Sequence, residues 1–243
     1  MSFKHNKGNI IESIRQAKNL GAAYRVGPEL EVSGYGCEDH FFELDTVRHS
    51  WDILAEILAD KELTKDMLCD IGMPVHFKNT LYNCRMLCLN HKIILIRPKL
   101  FLAGGNNYRE GRWFTPWSSP DLQSFQLEER IRNISGQKET VIGNAVIRCN
   151  DTTIACETCE ELWVPKNPHV DYGLDGVEII SNGSGSHHEL RKLNFRLDLI
   201  KNASARNGAV YIYSNLKGCD GGRTLFDGTS LISMNGEICG SLP

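Results

Sequence analysis

Three consecutive strands are predicted by residues 70–99, which read DIGMPVHFKNTLYNCRMLCLNHKIILIRPK. Apolar runs alternate here with turns at residues 78–80 and 90–91, a pattern that is typical of a β-meander. The last run ends at Lys99, so an apolar strand carries a cation at its tip. A lysine at a strand end is usually solvated, but it could also stabilise developing negative charge.

Helices are predicted on both sides of this meander. Residues 8–20 and 46–60 carry apolar side chains at helical spacing, and residues 187–206 form a third helical segment. The remaining strands are predicted at residues 22–26, 144–149, 152–157, 176–182, 209–215 and 229–234. The aromatic, glycine-rich stretch 101–137 is predicted to be a long loop with one short helix. Strands interleaved with helices indicate an α/β fold in which helices cover sheets.

The composition argues against several classes of protein. A formal net charge of −3 over 243 residues, without long runs of like charge, disfavours nucleic acid or an anionic membrane as a partner. The N-terminus lacks the apolar core of a signal peptide, and no stretch approaches the roughly 18 apolar residues of a spanning helix. Nine cysteines without a secretory signal indicate reduced thiols rather than a disulfide framework. We therefore expect a cytoplasmic protein.

Cys159 is a candidate nucleophile. In residues 152–165, TTIACETCEELWVP, a β-branched strand stops and a helix is predicted to begin at this cysteine. A thiol at such a junction could face free backbone N–H groups, which favour a thiolate and a developing oxyanion. The local pattern fits a buried, inert thiol equally well. Cys156 and Cys159 also form a Cys-x-x-Cys pair, but no second pair at metal-binding spacing accompanies it, so no metal site is predicted.

Glu29 is a candidate general base, because it follows an apolar strand in residues 26–36, VGPELEVSGYG. A poorly solvated carboxylate there could accept a proton from a thiol. The alternative is a surface carboxylate beside Glu31. Residues 182–188, NGSGSHH, resemble a glycine-rich anion-binding turn but lack the spacing of the nucleotide-binding motifs, so nucleotide binding is not predicted.

Three short motifs occur in the order found in the carbon-nitrogen hydrolase (nitrilase) superfamily: Pro28-Glu29, Arg97-Pro98-Lys99 and Cys159-Glu160. Longer strings, among them residues 94–117 (ILIRPKLFLAGGNNYREGRWFTPW) and 173–192 (GLDGVEIISNGSGSHHELRK), resemble the amide-hydrolysing domain of eukaryotic-type glutamine-dependent NAD synthetases. Together such strings cover nearly the whole chain. The resemblance implies a nitrilase-like four-layer α-β-β-α sandwich formed by residues 1–243 as one domain.

The same resemblance implies roles for individual residues. Glu29 would be the general base, Lys99 would stabilise the tetrahedral intermediate, and Cys159 would be the nucleophile. The implied glutamine-pocket residues are Tyr108, Glu110, Glu160, Ser186 and Lys192. Of these, Tyr108 and Glu110 would line the pocket or support Lys99, and Ser186 and Lys192 would contact the amino-acid end of the substrate.

The implied activity is hydrolysis of L-glutamine to glutamate, with the ammonia supplied for ATP-dependent amidation of deamido-NAD to NAD. The hydrolytic step needs no cofactor or metal, whereas ATP, Mg and deamido-NAD would be used by a synthetase domain or subunit that residues 1–243 do not include. Members of the family also associate into larger oligomers, so a homo-oligomer is expected.

Two departures from the family pattern leave other functions open. The family's domain normally begins with a core strand ahead of the helix predicted at residues 8–20, and it continues with further strands after the residues that end this chain. We therefore expect the sandwich to lack its first strand and its C-terminal end. The alternatives are a free-standing amidase acting on another small amide, and a truncated, inactive form with only an interaction role.

Overall fold

A computed structural model describes residues 2–105 and 107–242. Its first sheet contains β1 (Tyr24–Val26), β2 (Leu68–Phe77), β3 (Thr80–Leu89), β4 (Lys92–Pro98), β5 (Gln123–Gln126) and β6 (Glu139–Ile142), in the order β1-β2-β3-β4-β6-β5. Its second sheet contains β7 (Ile147–Arg148), β8 (Thr153–Thr158), β9 (Ile179–Ser184), β10 (Val210–Asn215), β13 (Ser230–Met234) and β14 (Glu237–Leu242), in the order β14-β13-β10-β9-β8-β7. A separate hairpin pairs β11 (Lys217–Cys219) with β12 (Leu225–Asp227).

Helices cover the outer face of each sheet. The helices are α1 (Phe3–Asn19), α2 (Leu44–Ala59), α3 (Glu110–Trp113), α4 (Glu129–Ser135), α5 (Pro168–Leu174) and α6 (Lys192–Asn207), and 3-10 turns lie at Tyr35–Phe42 and Cys159–Leu162. One apolar cluster joins α1, α2 and α4 to the first sheet, and a second joins α5 and α6 to the other sheet. The predicted four-layer α-β-β-α sandwich is therefore confirmed. None of the described helices has the length and apolar character needed to cross a membrane.

The space between the two sheets is apolar at one end. Leu68, Leu87 and Leu95, from β2, β3 and β4, form a cluster with Ile154 and Cys156 of β8. Each of these strands presents alternate side chains to the same face. The five buried side chains therefore join the two sheets through direct apolar contact.

The same face carries a charged residue two positions away from the leucine on β2, β3 and β4. Asp70 and Arg85 form a buried ion pair with 2.8 Å between carboxylate and guanidinium atoms. Arg97 pairs with Glu161, which follows β8 in the second sheet, and both side chains are fully buried. The next residue on this face after Arg97 is Lys99. Side chains at alternate positions on these strands therefore form first an apolar core and then a row of buried ions, which ends at the tip of β4.

Gly72 allows the loop that carries Glu29 to approach this row. A Cβ atom on Gly72 would lie only 2.6 Å from the backbone nitrogen of Leu30 and 2.7 Å from the carbonyl oxygen of Pro28. Real Cβ atoms do not come so close to backbone atoms, so any larger residue would displace the loop.

Several predicted boundaries were wrong. The loop predicted at 101–137 contains the four-residue strand β5 and the seven-residue helix α4 as well as α3, because such short elements carry too few apolar residues to show a period. The helix predicted from residue 187 begins only at Lys192, since Arg191 adopts a left-handed conformation with φ of 68°. The helix predicted at Cys159 is a single 3-10 turn.

β1 lies at the edge of its sheet, and among the described strands it pairs with β2 alone. A groove of about 640 Å³ separates its other side from β13 and β14, with Val26, Leu231 and Ile232 among its walls. The expectation that the sandwich lacks a first strand and a C-terminal end stays a prediction.

Candidate active site

The candidate catalytic residues converge where strands of both sheets end. Lys99 follows β4, Glu29 lies in the loop after β1, and Cys159 follows β8. Gly185 and Ser186 follow β9, which runs parallel to β8. Since the carboxyl ends of neighbouring parallel strands meet at one edge of a sheet, β8 and β9 deliver these residues to a common site.

Lys99 is completely buried between two carboxylates. Its Nζ lies 2.6 Å from Oε1 of Glu29 and 2.8 Å from each carboxylate oxygen of Glu110. Burial alone would lower the pKa of Lys99, but the two carboxylates outweigh it and raise the pKa well above its usual range. The ammonium group therefore stays charged at neutral pH and can act as a fixed positive charge.

Glu29 is held by partners from three separate segments. Besides Lys99, the side-chain amide of Asn83 donates to Oε1 at 2.7 Å, and the backbone N–H of Gly185 donates to Oε2 at 3.1 Å. The side chain of Glu29 is fully buried. A Cβ atom on Gly185 would lie 3.2 Å from Oε2 of Glu29 and 2.9 Å from the ring of Tyr35, so this glycine allows the close approach.

Cys159 sits in a strained turn. Its φ of 43° places a non-glycine residue in the left-handed region, which costs of order 1–3 kcal/mol and is typical of functional sites. The backbone N–H of Cys159 donates to Oδ1 of Asn182 at 3.0 Å, so this N–H is not free to bind an oxyanion. Burial raises the pKa of the Cys159 thiol, and the charge of Glu29 raises it further against the opposing effect of Lys99. The thiol is therefore protonated at neutral pH and needs a base to become a nucleophile.

Glu161 connects the tip of β4 to the cysteine turn. Its carboxylate accepts hydrogen bonds from Arg97, from the backbone N–H of Leu100 and from the backbone N–H of Thr158. Arg97 and Leu100 are close to Lys99 in the sequence, and Thr158 immediately precedes Cys159. The buried carboxylate thus fixes the distance between the candidate oxyanion stabiliser and the candidate nucleophile.

A pocket of about 410 Å³ opens above Cys159, a volume that suits a small ligand. Its walls include Tyr108, Cys159, Glu160, Ser186, His187 and Lys192. Glu160 and Lys192 are half-buried and oppositely charged, and among the described residues neither has an ion-pair partner. Burial raises the pKa of Glu160 and lowers the pKa of Lys192. The buried Oγ of Ser186 also has no hydrogen-bond partner within the described residues.

The resemblance implied that Tyr108 and Glu110 either line the pocket or support Lys99, and the structure places the two residues differently. Glu110 is buried, is hydrogen-bonded to Lys99 and does not line the pocket, a placement that favours the supporting role. Tyr108 lines the pocket, and its hydroxyl is hydrogen-bonded to Gly185 and His187.

Other residues of the site were missed from the sequence. Tyr35 donates its hydroxyl proton to Glu110, and the residues already described as fixing the site are Asn83, Glu161 and Asn182. Glu161 forms a capping box with Thr158, so the local pattern Thr-x-x-Glu could have marked it, whereas the contacts of Tyr35, Asn83 and Asn182 join segments 23 to 75 positions apart and no local motif marks them. Within residues 2–105 and 107–242, no group of three His, Cys, Asp or Glu side chains is arranged to hold a metal ion.

Comparisons with known proteins identify the family of the chain. The chain is 57% identical over 238 residues to the glutamine-dependent NAD(+) synthetase of Dictyostelium discoideum and 54% identical over 239 residues to that of Saccharomyces cerevisiae, with 98% of this chain covered in each case. It spans about a third of the length of these curated relatives. A crystal structure of a glutamine-dependent NAD(+) synthetase from Cytophaga hutchinsonii superposes with a TM-score of 0.86 at 28% identity, covering 98% of this chain and 38% of that one. The carbon-nitrogen hydrolase profile matches residues 1–243, and the chain therefore belongs to the carbon-nitrogen hydrolase family.

Proposed function

We propose that the chain hydrolyses L-glutamine to glutamate and ammonia through a covalent thioester on Cys159. The observation that carries this proposal is a pocket lined by Cys159, Glu160 and Lys192, behind which Glu29 and Lys99 form a buried ion pair whose charges act on the Cys159 thiol. Among the described residues, Glu160 and Lys192 have no ion-pair partner. A free amino acid carries an ammonium and a carboxylate, so Glu160 and Lys192 suit its two charged groups. The buried cluster then faces the side-chain amide.

In the first half of the reaction, Glu29 takes the proton of the Cys159 thiol as the sulfur attacks the amide carbon of glutamine. The carbonyl oxygen becomes an oxyanion, which the Lys99 ammonium and the backbone N–H of Glu160 stabilise. The C–N bond then breaks, and Glu29 returns the proton to the departing nitrogen. Ammonia leaves, and glutamate remains bound as a thioester.

In the second half, Glu29 takes a proton from water as the water oxygen attacks the thioester carbon. The C–S bond breaks, glutamate is released, and the proton returns to the sulfur. Lys99 keeps its charge throughout, since Glu110, which takes part in no proton transfer, raises its pKa. Glu29 thus transfers the protons, and Lys99, held by Glu110, stabilises the negative charge.

The similarity to glutamine-dependent NAD(+) synthetases supports a proposal for how the ammonia is used. We propose that it is used by a synthetase domain or subunit for the ATP-dependent, Mg-dependent amidation of deamido-NAD. The hydrolytic step itself uses only residues of this chain and needs no cofactor.

Glutamate release from L-glutamine by the purified 243-residue chain tests the proposal, with the Cys159→Ala variant as control. Because the sulfur forms the intermediate, we expect release by the original chain and none above background by the variant. A Cys156→Ala variant controls for loss of a buried thiol, since Cys156 packs between the sheets and does not line the pocket. Release that persists in the Cys159→Ala variant, or no release from a folded original chain, would contradict the proposal.

A further inference from the structure

The strained turn of Cys159 is held through its backbone. A residue with positive φ keeps that conformation only where the surrounding structure over-determines it. The N–H of Cys159 donates to Oδ1 of Asn182, and the preceding N–H, that of Thr158, donates to Glu161. Because φ is the rotation about the bond from this nitrogen to Cα, a fixed N–H together with a φ of 43° determines where the side chain points. Asn182 therefore helps to aim the thiol into the pocket.

The amide of Asn182 can serve in this way in only one orientation. Its oxygen has to face the N–H of Cys159, and the hydroxyl of Ser184 also donates to this oxygen at 2.9 Å. Its Nδ2 donates to the hydroxyl oxygen of Tyr211 at 3.1 Å. A reversed amide would place its NH2 group against the N–H of Cys159, donor against donor. The hydroxyl of Tyr211 is thus the acceptor that favours the useful orientation.

Tyr211 accepts this hydrogen bond because its own proton is used elsewhere. The hydroxyl donates to Oε2 of Glu157 at 2.6 Å, and a phenol has a single proton to give. The other carboxylate oxygen of Glu157 accepts from the backbone N–H of His169 at 2.6 Å. Burial and the charge of Glu157 raise the pKa of Tyr211 well above its usual range, so the hydroxyl keeps its proton. The hydrogen bonds that join Glu157, Tyr211 and Asn182 therefore each have one direction.

This chain of hydrogen bonds lies on the face of the second sheet that α5 and α6 cover. Glu157 and Asn182 are paired residues of β8 and β9, and Tyr211 lies on β10, which pairs with β9. All three side chains are fully buried, and His169 belongs to α5. Neither Glu157 nor Tyr211 is among the walls of the pocket. Any effect of Tyr211 on the reaction therefore passes through Asn182 and Cys159.

We propose that Tyr211 is a positioning residue that, through the amide of Asn182, holds Cys159 in the conformation that presents its thiol to the substrate. The inference rests on the proposed function, since it concerns the nucleophile of that reaction. Tyr211 touches neither the substrate nor a reacting atom. It governs the rate at which the thiol reacts and not the affinity for the amino acid, whose charged groups are assigned to Glu160 and Lys192.

Tyr211→Phe tests the proposal, because it removes one hydroxyl and keeps the ring. Asn182 then lacks its acceptor and no longer fixes the turn, so kcat/KM for L-glutamine should fall by roughly tenfold. In the Cys159→Ala background, calorimetric titration with L-glutamine should give the same dissociation constant with and without Tyr211→Phe. An unchanged kcat/KM, or a loss of affinity that accounts for its fall, would overturn the inference.

Tyr24→Phe is the matched control for the loss of a hydrogen-bonded tyrosine hydroxyl. The hydroxyl of Tyr24 donates to Oγ of Ser181 at 2.7 Å, and Ser181 and Asn182 point to opposite faces of β9. Both tyrosine variants should lower Tm, but Tyr24→Phe should leave kcat/KM as it is in the original chain. An equal fall of kcat/KM in both variants would mean that Tyr211 acts only on stability, and would overturn the inference.

A double variant shows whether the effect passes through Asn182. Asn182→Leu should lower kcat/KM at least as much as Tyr211→Phe does. Adding Tyr211→Phe to it should cause no further fall, since the amide through which Tyr211 acts is gone. Losses that multiply would overturn the inference. If Asn182→Leu does not fold, the comparison of Tyr211→Phe with Tyr24→Phe decides alone.

Alkylation keeps the inference testable if the proposed turnover fails. Iodoacetamide reacts with a thiol without any amide hydrolysis, and modification of Cys159 itself can be followed by fragment-ion mass spectrometry. Its rate should fall by roughly tenfold in Tyr211→Phe and stay the same in Tyr24→Phe. An unchanged rate in Tyr211→Phe would overturn the inference. Absent glutamate release together with Tyr211-dependent alkylation would contradict the proposed hydrolysis alone.

Discussion

The buried end of the site and its open end hold charge in different ways. Around Lys99 every charged side chain is paired, and three ionised groups share hydrogen bonds between 2.6 and 2.8 Å long. In the pocket above, Glu160 and Lys192 lie half-buried without ion-pair partners among the described residues. The difference indicates that the buried cluster is complete without a ligand, whereas the pocket is completed by one.

This contrast has an energetic consequence. Breaking a buried ion pair leaves a charge without compensation and is strongly destabilising. Glu160 and Lys192 have no ion pair among the described residues, so they have no such pairing to lose. Substitutions at the two ends should therefore separate stability from substrate affinity.

The largest expected effect is that of Lys99→Met. The change leaves Glu29 and Glu110 as two buried carboxylates without a cation, which should lower the free energy of unfolding by about 3–5 kcal/mol. For a chain of this size, each kcal/mol corresponds to roughly 2–4 °C in Tm, so thermal melts should show a decrease of roughly 6–20 °C. Glutamate release should also be lost, because no fixed cation remains for the oxyanion.

The pH dependence of this loss checks its cause. Burial raises the pKa of Glu110 against the effect of Lys99, so removing the lysine should raise that pKa further. As the pH falls and Glu110 becomes protonated, the cation is needed less, and the difference in Tm between the two chains should narrow. A difference that stays constant as the pH falls would point to lost packing rather than lost charge.

Glu29→Gln should have the next largest effect, and it should act on the thiol in two ways. Loss of the base should lower kcat by about 10²–10⁴-fold. Glu29 also raises the pKa of Cys159, so its removal should lower that pKa. The pH midpoint of alkylation by iodoacetamide should therefore move to lower pH, even as hydrolysis is lost.

Glu12→Gln is a suitable control for this variant, because Glu12 is exposed on α1. It should leave both the alkylation midpoint and hydrolysis as they are in the original chain. A midpoint that moves to higher pH in Glu29→Gln would mean that Glu29 does not raise the pKa of the thiol.

The sequence predicted which candidate residues lie at the ends of strands. Lys99 follows an apolar strand, Cys159 follows a β-branched strand, and Glu29 lies just beyond a short one, so local patterns marked all three positions. Only their resemblance to a family assigned them roles, because each pattern also fitted a solvated charge or an inert thiol. The contact between Lys99 and Glu29, 70 residues apart, is a product of the fold.

The long-range contacts that fix the site could not be found in this way. Glu161 contacts Arg97, 64 positions away, across the space between the sheets. Asn182 reaches the backbone of Cys159 from the neighbouring strand. Their functions depend on which strands become neighbours, and a local pattern does not contain this information.

Lys192→Met should have the smallest effect, and it should be confined to the substrate. Loss of a charge-assisted contact to a carboxylate should raise KM for L-glutamine by roughly 10–100-fold, corresponding to about 1.5–3 kcal/mol. The kcat value should change little, since the amide lies at the other end of the pocket. Tm should stay the same or rise slightly, because burial already lowers the pKa of Lys192 and thus disfavours its charge.

Lys201→Met provides the matched control, because Lys201 lies on the same helix and its side chain is exposed. It should change neither KM nor Tm. If Lys192→Met instead lowered Tm as much as Lys99→Met, the ammonium of Lys192 would have to be stabilised within the folded chain without substrate. The pocket would then be as complete as the buried cluster, and its charge could no longer be assigned to ligand binding.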